Sequence, residues 1–307
     1  MSLLVVGTVA FDQIETPFGK TDKILGGAAT FISIAASLLD VETEIVSVIG
    51  GDFPQEYLDM MASKKIGLKG IETIENGKTF FWSGKYRNDM NTRDTLVTEL
   101  NVLENFKPVV PEEWKNPEVL MLGNLHPLVQ MEVVEQLENR PKLVVLDTMN
   151  FWMDHTWDEL MKVIKKVDVL TINDEEARQL SNEYSLVKAS KKILSMGPST
   201  LIIKKGEHGA LLFNDNNVFF APALPLDDVF DPTGAGDTFA GGFSGFLAKT
   251  RNYSFENMKR AIIYGSALAS FTVEKFGTER LSGLTKEELE GRLEAFRSLT
   301  SFDIELD

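Results

Sequence analysis

Cysteine is absent from the sequence, and histidine is rare, with three among 307 residues. Without cysteine the chain can form no disulfide and no zinc–thiolate site, and it has no thiol nucleophile. His126, His155 and His208 show neither metal-ligand spacing nor a G-x-S-x-G companion. These absences exclude disulfide scaffolds, zinc-thiolate domains and cysteine hydrolases, and they leave zinc and serine hydrolases without a supporting motif.

Basic residues and long apolar runs are also scarce. The chain has 31 Lys and Arg residues against 46 Asp and Glu residues, a formal net charge of −15, which argues against a nucleic-acid surface. Apolar runs such as Leu143–Leu146 are strand-sized, far below the roughly 18 residues that a membrane-spanning helix needs. The opening residues Met1–Gly7 lack a basic leader. We therefore expect a cytoplasmic protein with no nucleic-acid and no membrane partner.

The sequence does contain a repeated alternation of short apolar runs and amphipathic stretches. Leu3–Val9 precedes Ala28–Leu39, and Glu44–Ile49 precedes Gln55–Lys65. Near-continuous runs of Val, Ile and Leu are typical of parallel strands that helices cover on both faces. The pattern predicts an α/β fold, a doubly wound and mostly parallel sheet flanked by helices, in one domain over residues 1–307.

Between about residues 70 and 100 this alternation stops, and β-formers and turn residues replace the helical period. The segment predicts a small β-sheet lid, together with part of 12–24. Strand alternation places Phe80, Trp82 and Tyr86 on one face of a small antiparallel sheet. That face packs on the main core, covers a substrate at the strand ends, or does both, because an insertion of about 30 residues buries little core of its own.

The most informative stretch is D-P-T-G-A-G-D at 231–237, which follows a strand-rich segment and opens a helix. Backbone N–H groups of Gly234–Gly236 at a helix N-terminus attract an anion, and glycine lets a phosphate approach closely. A carboxylate beside that site, Asp237, is electrostatically costly unless it orients a hydroxyl nucleophile and accepts its proton. The plain alternative is a helix start with glycine for the turn and aspartate for the dipole.

The full string resembles the second signature of the ribokinase-like (PfkB) family of carbohydrate and nucleoside kinases. The resemblance implies that Asp237 is the catalytic base and that the backbone of Gly234, Ala235 and Gly236 forms the anion hole for the transferring phosphoryl group. It also implies ATP with Mg²⁺ as cofactor and, as in many relatives, a monovalent cation such as K⁺. Neither a P-loop motif nor a G-x-G-x-x-G dinucleotide motif is present to compete with it.

Further pieces of the chain follow the order of the same family, although each is weak alone. Positions that match its acceptor-binding residues are Asp12, Gly26, Gly27, Thr30 and Asn150. Positions that match its nucleotide-binding residues are Asn173, Lys204, Lys205, Gly206 and Gly209. For metal ions the resemblance implies Glu176, holding Mg²⁺ through water, and carbonyl groups around Asp231, Thr233 and Gly277, holding the monovalent cation. A di-glycine turn or an acid-rich helix start is often only structural, so their order and spacing carry the resemblance.

Two positions depart from the family pattern. Phe31 stands where many relatives carry Asn, so a contact to the sugar is either missing or moved, for instance to Thr30. Trp152 stands where several sugar kinases have a basic residue, after the Asp-x-x-Asn of Asp147–Asn150. We therefore expect a site less suited to an acidic or phosphorylated sugar.

The sequence thus predicts an ATP-dependent phosphotransferase that acts on a hydroxyl of a sugar or polyol. Two alternatives stay open: a nucleoside kinase of the same family, favoured if the lid aromatics stack a base, and a non-catalytic protein that senses a sugar or nucleotide. The predicted partner is a small-molecule acceptor. A homodimer joined through the lid, as in some relatives, is also left open.

Overall fold

The computed structural model describes residues 2–301. Its strands, in chain order, are β1 (Leu3–Val6), β2 (Ala10–Thr16), β3 (Gly19–Lys20), β4 (Ile24–Gly26), β5 (Thr43–Gly50), β6 (Ile66–Ile74), β7 (Phe81–Tyr86), β8 (Arg93–Glu99), β9 (Val119–Leu122), β10 (Leu143–Asp147), β11 (Val169–Asn173), β12 (Thr200–Lys204), β13 (Ala210–Phe213) and β14 (Val218–Ala221). Its helices are α1 (Ala28–Ser37), α2 (Gln55–Ser63), α3 (Pro127–Gln136), α4 (Asn150–His155), α5 (Trp157–Ile164), α6 (Asp174–Ser181), α7 (Leu186–Leu194), α8 (Ala235–Thr250), α9 (Phe255–Thr272), α10 (Glu279–Ser282) and α11 (Lys286–Thr300).

In the described part of the chain, nine strands form one large sheet in the order β14-β13-β12-β11-β10-β9-β1-β5-β6. Every pair from β6 to β12 is parallel, and β13 and β14 continue the edge in antiparallel pairs. This confirms the predicted doubly wound, mostly parallel sheet. In such a sheet, ligands bind beyond the carboxyl ends of the strands.

Alternate residues of each central strand enter separate cores on the two faces of the sheet. On β1, Leu3 and Val5 pack with residues of α1, α8 and α9, whereas Leu4 and Val6 pack with residues of α3, α5, α6 and α7. The two-residue period of a strand produces this division, and burial on both faces explains the apolar runs seen in the sequence. No helix within residues 2–301 is long and apolar enough to cross a membrane.

The small sheet takes its strands from residues 10–26 and 81–99, in the order β3-β2-β7-β8, with β4 also paired to β2. It is mixed rather than antiparallel, because β2 and β7 run parallel. Strand β6, whose end lies within the segment assigned to the lid, belongs instead to the large sheet, where it pairs with β5. The part of the insertion that forms lid strands therefore begins with β7 at residue 81.

One face of the small sheet carries Asp12 and two of the lid aromatics that the sequence placed near a substrate, together with Arg93. Asp12 on β2 lies opposite Trp82 on β7, and Tyr86 on β7 lies opposite Arg93 on β8. Partners in register share a face, so these four side chains belong to the same side of the lid. Phe80, predicted to share that face, precedes the first residue of β7.

Candidate active site

Polar residues end three neighbouring strands of the large sheet. Asp147 is the last residue of β10, Asn173 of β11 and Lys204 of β12. Because the strands are parallel, these residues meet at the carboxyl edge. Helix α8 begins at the same place, so the strand ends and the 231–237 turn enclose one site.

The 231–237 turn opens helix α8, as the motif predicts, but the Ala235 N–H, one of the three predicted anion-hole donors, donates to the Pro232 carbonyl at 3.2 Å. Gly234 is the N-cap of the helix, with φ +75° and ψ −1° in the left-handed region that favours glycine. A Cβ at this position would lie 2.5 Å from the ring of Phe31. The turn therefore rests directly on the Phe31 side chain, which is 1% exposed. Phe31, which stands where many relatives carry Asn, thus packs against the turn of the predicted anion hole.

Asp231 fixes the start of the turn. One of its carboxylate oxygens accepts a hydrogen bond from the Thr233 N–H at 2.8 Å, and the other accepts one from the Gly277 N–H at 2.9 Å. The residue is fully buried, and burial raises the pKa of Asp231 despite these donors. The three positions around which a monovalent cation was predicted are thus joined through the Asp231 side chain.

Asp237 lies in the first turn of α8 and is half-buried. Burial, reinforced by the charge of Asp147, raises the pKa of Asp237 to about 7, and Lys204 and Arg93 act in the opposite direction. A carboxyl group with a pKa near neutrality is well matched to proton transfer at physiological pH.

Lys204 forms a buried ion pair with Asp147. The Lys204 Nζ lies 2.9 Å from Asp147 Oδ1, and the side chains are 17% and 8% exposed. A Cβ on Gly236 would lie 3.1 Å from the same Nζ, so the ammonium group is next to the helix-opening turn. Burial alone would lower the pKa of Lys204, but the carboxylates of Asp147 and Glu176 outweigh it and raise that pKa.

Asp12 and the di-glycine of the sequence motif are in direct contact. The Asp12 carboxylate occupies the space that a Cβ on Gly26 would need, and it accepts a hydrogen bond from the Gly27 N–H. Burial, then the charge of Asp231, raises the pKa of Asp12 to about 7, and Asp237 contributes in the same sense. The predicted acceptor residue therefore lies within electrostatic range of Asp237.

Two lid residues reach the site, Tyr86, which the sequence placed on the substrate-facing side of the lid, and Arg93, which it did not single out. The Tyr86 hydroxyl accepts a hydrogen bond from Thr233 Oγ1 at 3.2 Å, and the Arg93 side chain is hydrogen-bonded to Tyr86. The positive charge of Arg93 opposes the burial that raises the pKa values of Asp237 and Glu176. Arg93 could have been identified as the cross-strand neighbour of Tyr86, but that requires the register between β7 and β8.

Asn173 and Glu176 form a reciprocal capping box at the start of α6. Asn173 Oδ1 accepts from the Glu176 N–H at 2.8 Å, and Glu176 Oε2 accepts from the Asn173 N–H at 2.7 Å. Burial raises the pKa of Glu176 to about 7, although Lys204 opposes it. Within residues 2–301, no three acidic or histidine side chains are grouped so that they could hold a metal ion by themselves.

The loop after β12 lies beside the tip of the lid. The Lys205 N–H donates to the Gly209 carbonyl at 2.8 Å, which closes a short turn over Gly206–His208. A Cβ on Gly206 would lie 2.9 Å from Asn91 Oδ1, in the turn between β7 and β8. The lid thus extends from Asp12 to the predicted nucleotide loop.

Three other predicted or singled-out side chains are either enclosed or hydrogen-bonded to residues that were not predicted for the site. The Thr30 hydroxyl is buried without a hydrogen-bond partner in the described residues, so it does not reach an open site. The Asn150 side-chain amide donates to Gln179 on α6 at 3.1 Å. Trp152 Nε1 donates to Asn124 Oδ1 at 2.8 Å. Helical direction accounts for Thr30, since α1 turns that side chain inward.

Comparison with known proteins gives consistent findings. The family model of the pfkB family carbohydrate kinases matches residues 2–283. The cytidine kinase of Thermococcus kodakarensis is 28% identical over 249 residues, covering 79% of this chain and 87% of the relative.

Two solved structures show the same fold. One is the nucleoside kinase of Methanocaldococcus jannaschii, an archaeal member of the ribokinase family, with a TM-score of 0.77 and 22% identity over 96% of this chain and 98% of the other. The second is a candidate ribokinase II from E. coli in complex with ATP and Mg²⁺, with a TM-score of 0.79 and 18% identity over 95% of this chain and 99% of the other.

Proposed function

The chain belongs to the pfkB family of carbohydrate kinases, and on that premise we propose that it transfers the γ-phosphoryl group of ATP to a hydroxyl of a small acceptor, with Asp237 as the catalytic base. The observation that carries this proposal is the convergence at one helix start. The Gly234 turn, the Lys204 ammonium and the Asp237 carboxyl all lie there. Amide donors and a cation suit a phosphate, and the neighbouring carboxyl suits the hydroxyl that attacks it.

In the proposed step, the acceptor oxygen forms a bond to the γ-phosphorus, and the bond from that phosphorus to the β–γ bridging oxygen breaks, releasing ADP. The hydroxyl proton passes to Asp237. An ordinary alcohol is far too weak an acid for Asp237 to ionise it beforehand, even with a pKa of about 7. In a loose transition state the carboxylate instead aligns the oxygen and accepts the proton late, as the new P–O bond forms.

The donors near Lys204 fit a magnesium ion bound together with the nucleotide. Glu176 supplies a buried carboxylate, and the adjacent Asn173 supplies an amide, both oxygen ligands that Mg²⁺ accepts through water. When bound, the ion offsets the negative charge of the phosphate oxygens. The complex of the E. coli structure with ATP and Mg²⁺ supports the same pair for this chain. A monovalent cation at the Asp231–Gly277 loops stays a prediction.

For the acceptor, we propose a nucleoside ahead of the free sugar or polyol that the sequence placed first. The similar proteins of T. kodakarensis and M. jannaschii are a cytidine kinase and a nucleoside kinase. On the lid, Asp12 and Trp82 share one face, so a ribose hydroxyl at Asp12 leaves an aromatic surface beside it for a base. A sugar or polyol is the second candidate, because Asp12 and Gly26–Gly27 would bind hydroxyl groups whether or not a base is attached.

An acceptor panel tests the proposal. ADP release is measured with Mg–ATP and a set of ribonucleosides, pentoses, hexoses and polyols, with the Asp237→Asn variant as the matched control. We expect turnover with at least one ribonucleoside and a kcat roughly 10³-fold lower in the variant. Turnover only with free sugars or polyols would move the assignment to the second candidate. Binding of acceptors or of ATP without any turnover would favour a sensor that retains the kinase fold.

A further inference from the structure

The Asp147–Lys204 pair spans the carboxyl edge of the large sheet. Asp147 ends β10 and Lys204 ends β12, with β11 between them. Asp147 is in register with Thr171, and Thr171 with Ile202, so both charged side chains lie on the face that α8 covers. The Thr171 hydroxyl between them is buried and has no hydrogen-bond partner within the described residues. The two groups meet across a strand, and the sequence separation of 57 residues gives no hint of it.

Such a pair is expensive to bury. Removing two charges from water carries a large desolvation cost, and replacing a buried ion pair with apolar residues is often neutral or stabilising. Stability alone therefore does not explain its presence. The ammonium group also has other acidic neighbours, since Glu176 and Asp237 both act on its charge, yet among residues 2–301 only Asp147 accepts a hydrogen bond from it.

We propose that Asp147 is a positioning residue, which holds the Lys204 ammonium beside Gly236 for contact with the transferring phosphoryl group and keeps it off the Asp237 carboxylate. This inference rests on the proposed function. The position of the ammonium group is well defined, because the Lys204 Nζ would lie 3.1 Å from a Cβ built on Gly236. Without Asp147, the Lys204 side chain could pair with the Asp237 carboxylate. That pairing would lower the pKa of Asp237 and make it a weaker base.

Loss of the Asp147 carboxylate should change the titration of the base. The groups that act on Asp237 are Asp147 from β10, Lys204 from β12, Arg93 from the lid and Asp12 from β2. Removing Asp147 takes away one negative neighbour and frees Lys204 to approach. Both changes lower the pKa of Asp237, so the acidic limb of the rate profile moves to lower pH.

The test compares Asp147→Asn, Lys204→Met and the double variant with the wild type. As a control, Asp168→Asn removes a carboxylate that pairs with Arg140 at 2.8 Å, just before β11 at the opposite edge of the sheet. We expect kcat to fall about 10²-fold in Lys204→Met and at least about tenfold in Asp147→Asn, with little change in the acceptor KM. The double variant should match Lys204→Met, because Asp147 acts through the lysine. Asp168→Asn should retain the wild-type kcat.

Several outcomes would overturn the positioning role: an Asp147→Asn kcat no lower than that of the Asp168 control, an unmoved acidic limb, or a double variant about tenfold slower than Lys204→Met. If Asp147→Asn fails to fold, the double variant, which leaves no unpaired charge, still decides through that last comparison. A wild type without turnover counts against the proposed function instead. In that case NMR titration of the Asp237 carboxyl decides, with a lower pKa expected in Asp147→Asn and an unchanged one contradicting the inference.

Discussion

The carboxyl edge of the large sheet and the inner face of the lid contribute to the same site in different ways. On the large sheet, Asp147 and Lys204 are held in place by burial and by each other. On the lid, Arg93 belongs to an edge strand whose residues are all exposed. The Gly234 turn rests on the buried Phe31, whereas Trp82 lies along its own strand over Gly84. The charges of the proposed site that are fixed in place thus belong to the core. The lid adds a cation and an aromatic surface, and these move with the lid strands that carry them.

Asp237→Asn should have the largest effect on the core side of this comparison. The variant keeps the shape of the side chain but cannot accept the hydroxyl proton, so kcat should fall roughly 10³-fold while the fold and substrate binding are retained. Steady-state kinetics and thermal unfolding measure both quantities. Turnover near the wild-type value would remove Asp237 from the catalytic role.

Asp12→Ala should act on acceptor binding. The carboxylate sits on Gly26 and accepts from the Gly27 N–H, and its loss removes a hydrogen-bond acceptor for the substrate hydroxyls. We expect the acceptor KM to rise by about ten- to a hundredfold and the ATP KM to change little. Asp22→Ala, at an exposed position near β3, is the control. Equal increases in both KM values would mean that Asp12 is structural.

Arg93→Met should lower kcat about tenfold, less than Asp237→Asn, because the lid cation is exposed and only supplements Lys204. Its effect should also weaken as the salt concentration rises. Arg87→Met is a matched control on the same hairpin, since Arg87 pairs with Asp94 at 2.9 Å. Should both arginine variants show the same kcat, the lid would supply no charge to the reaction.

The smallest effect should appear in fluorescence. Trp82 lies on the lid face with Asp12, and Trp114 is buried in the core. Acceptor binding should change the tryptophan emission of the wild type by a modest fraction and leave that of Trp82→Phe unchanged. A wild-type emission that ignores an acceptor the enzyme turns over would assign Trp82 to lid packing alone.

The fold and the central turn could be predicted because local signals determine them. Apolar runs of strand length require helices on both faces, and the 231–237 string needs glycine at the left-handed position 234. The assignment of Asp12, Gly26 and Gly27 to one site came instead from the family resemblance, and in the structure the Asp12 carboxylate is in direct contact with Gly26. These predictions needed no knowledge of which strands are neighbours.

The parts that could not be predicted depend on long-range register. Asp147 and Lys204 come together because their strands, β10 and β12, flank β11 in the sheet. Arg93 reaches the site only through the pairing of β7 with β8. Thr30 was expected at the acceptor, but the direction of α1 turns it inward. The sequence showed Phe31 only as the loss of a polar contact. In the structure its ring packs against Gly234, a contact that the spacing of residues along the chain does not reveal.

The pH dependence of kcat/KM, at saturating Mg–ATP, tests most directly whether Asp237 is the base at this site. Because burial raises the pKa of Asp237 to about 7 and the base must be ionised, the rate should rise with pH and level off above an inflection near that value. The pKa of Asp12 is also about 7, so the inflection must persist in Asp12→Asn to belong to Asp237. A rate that stays flat between about pH 5 and about pH 9, or an inflection that Asp12→Asn abolishes, would contradict the assignment.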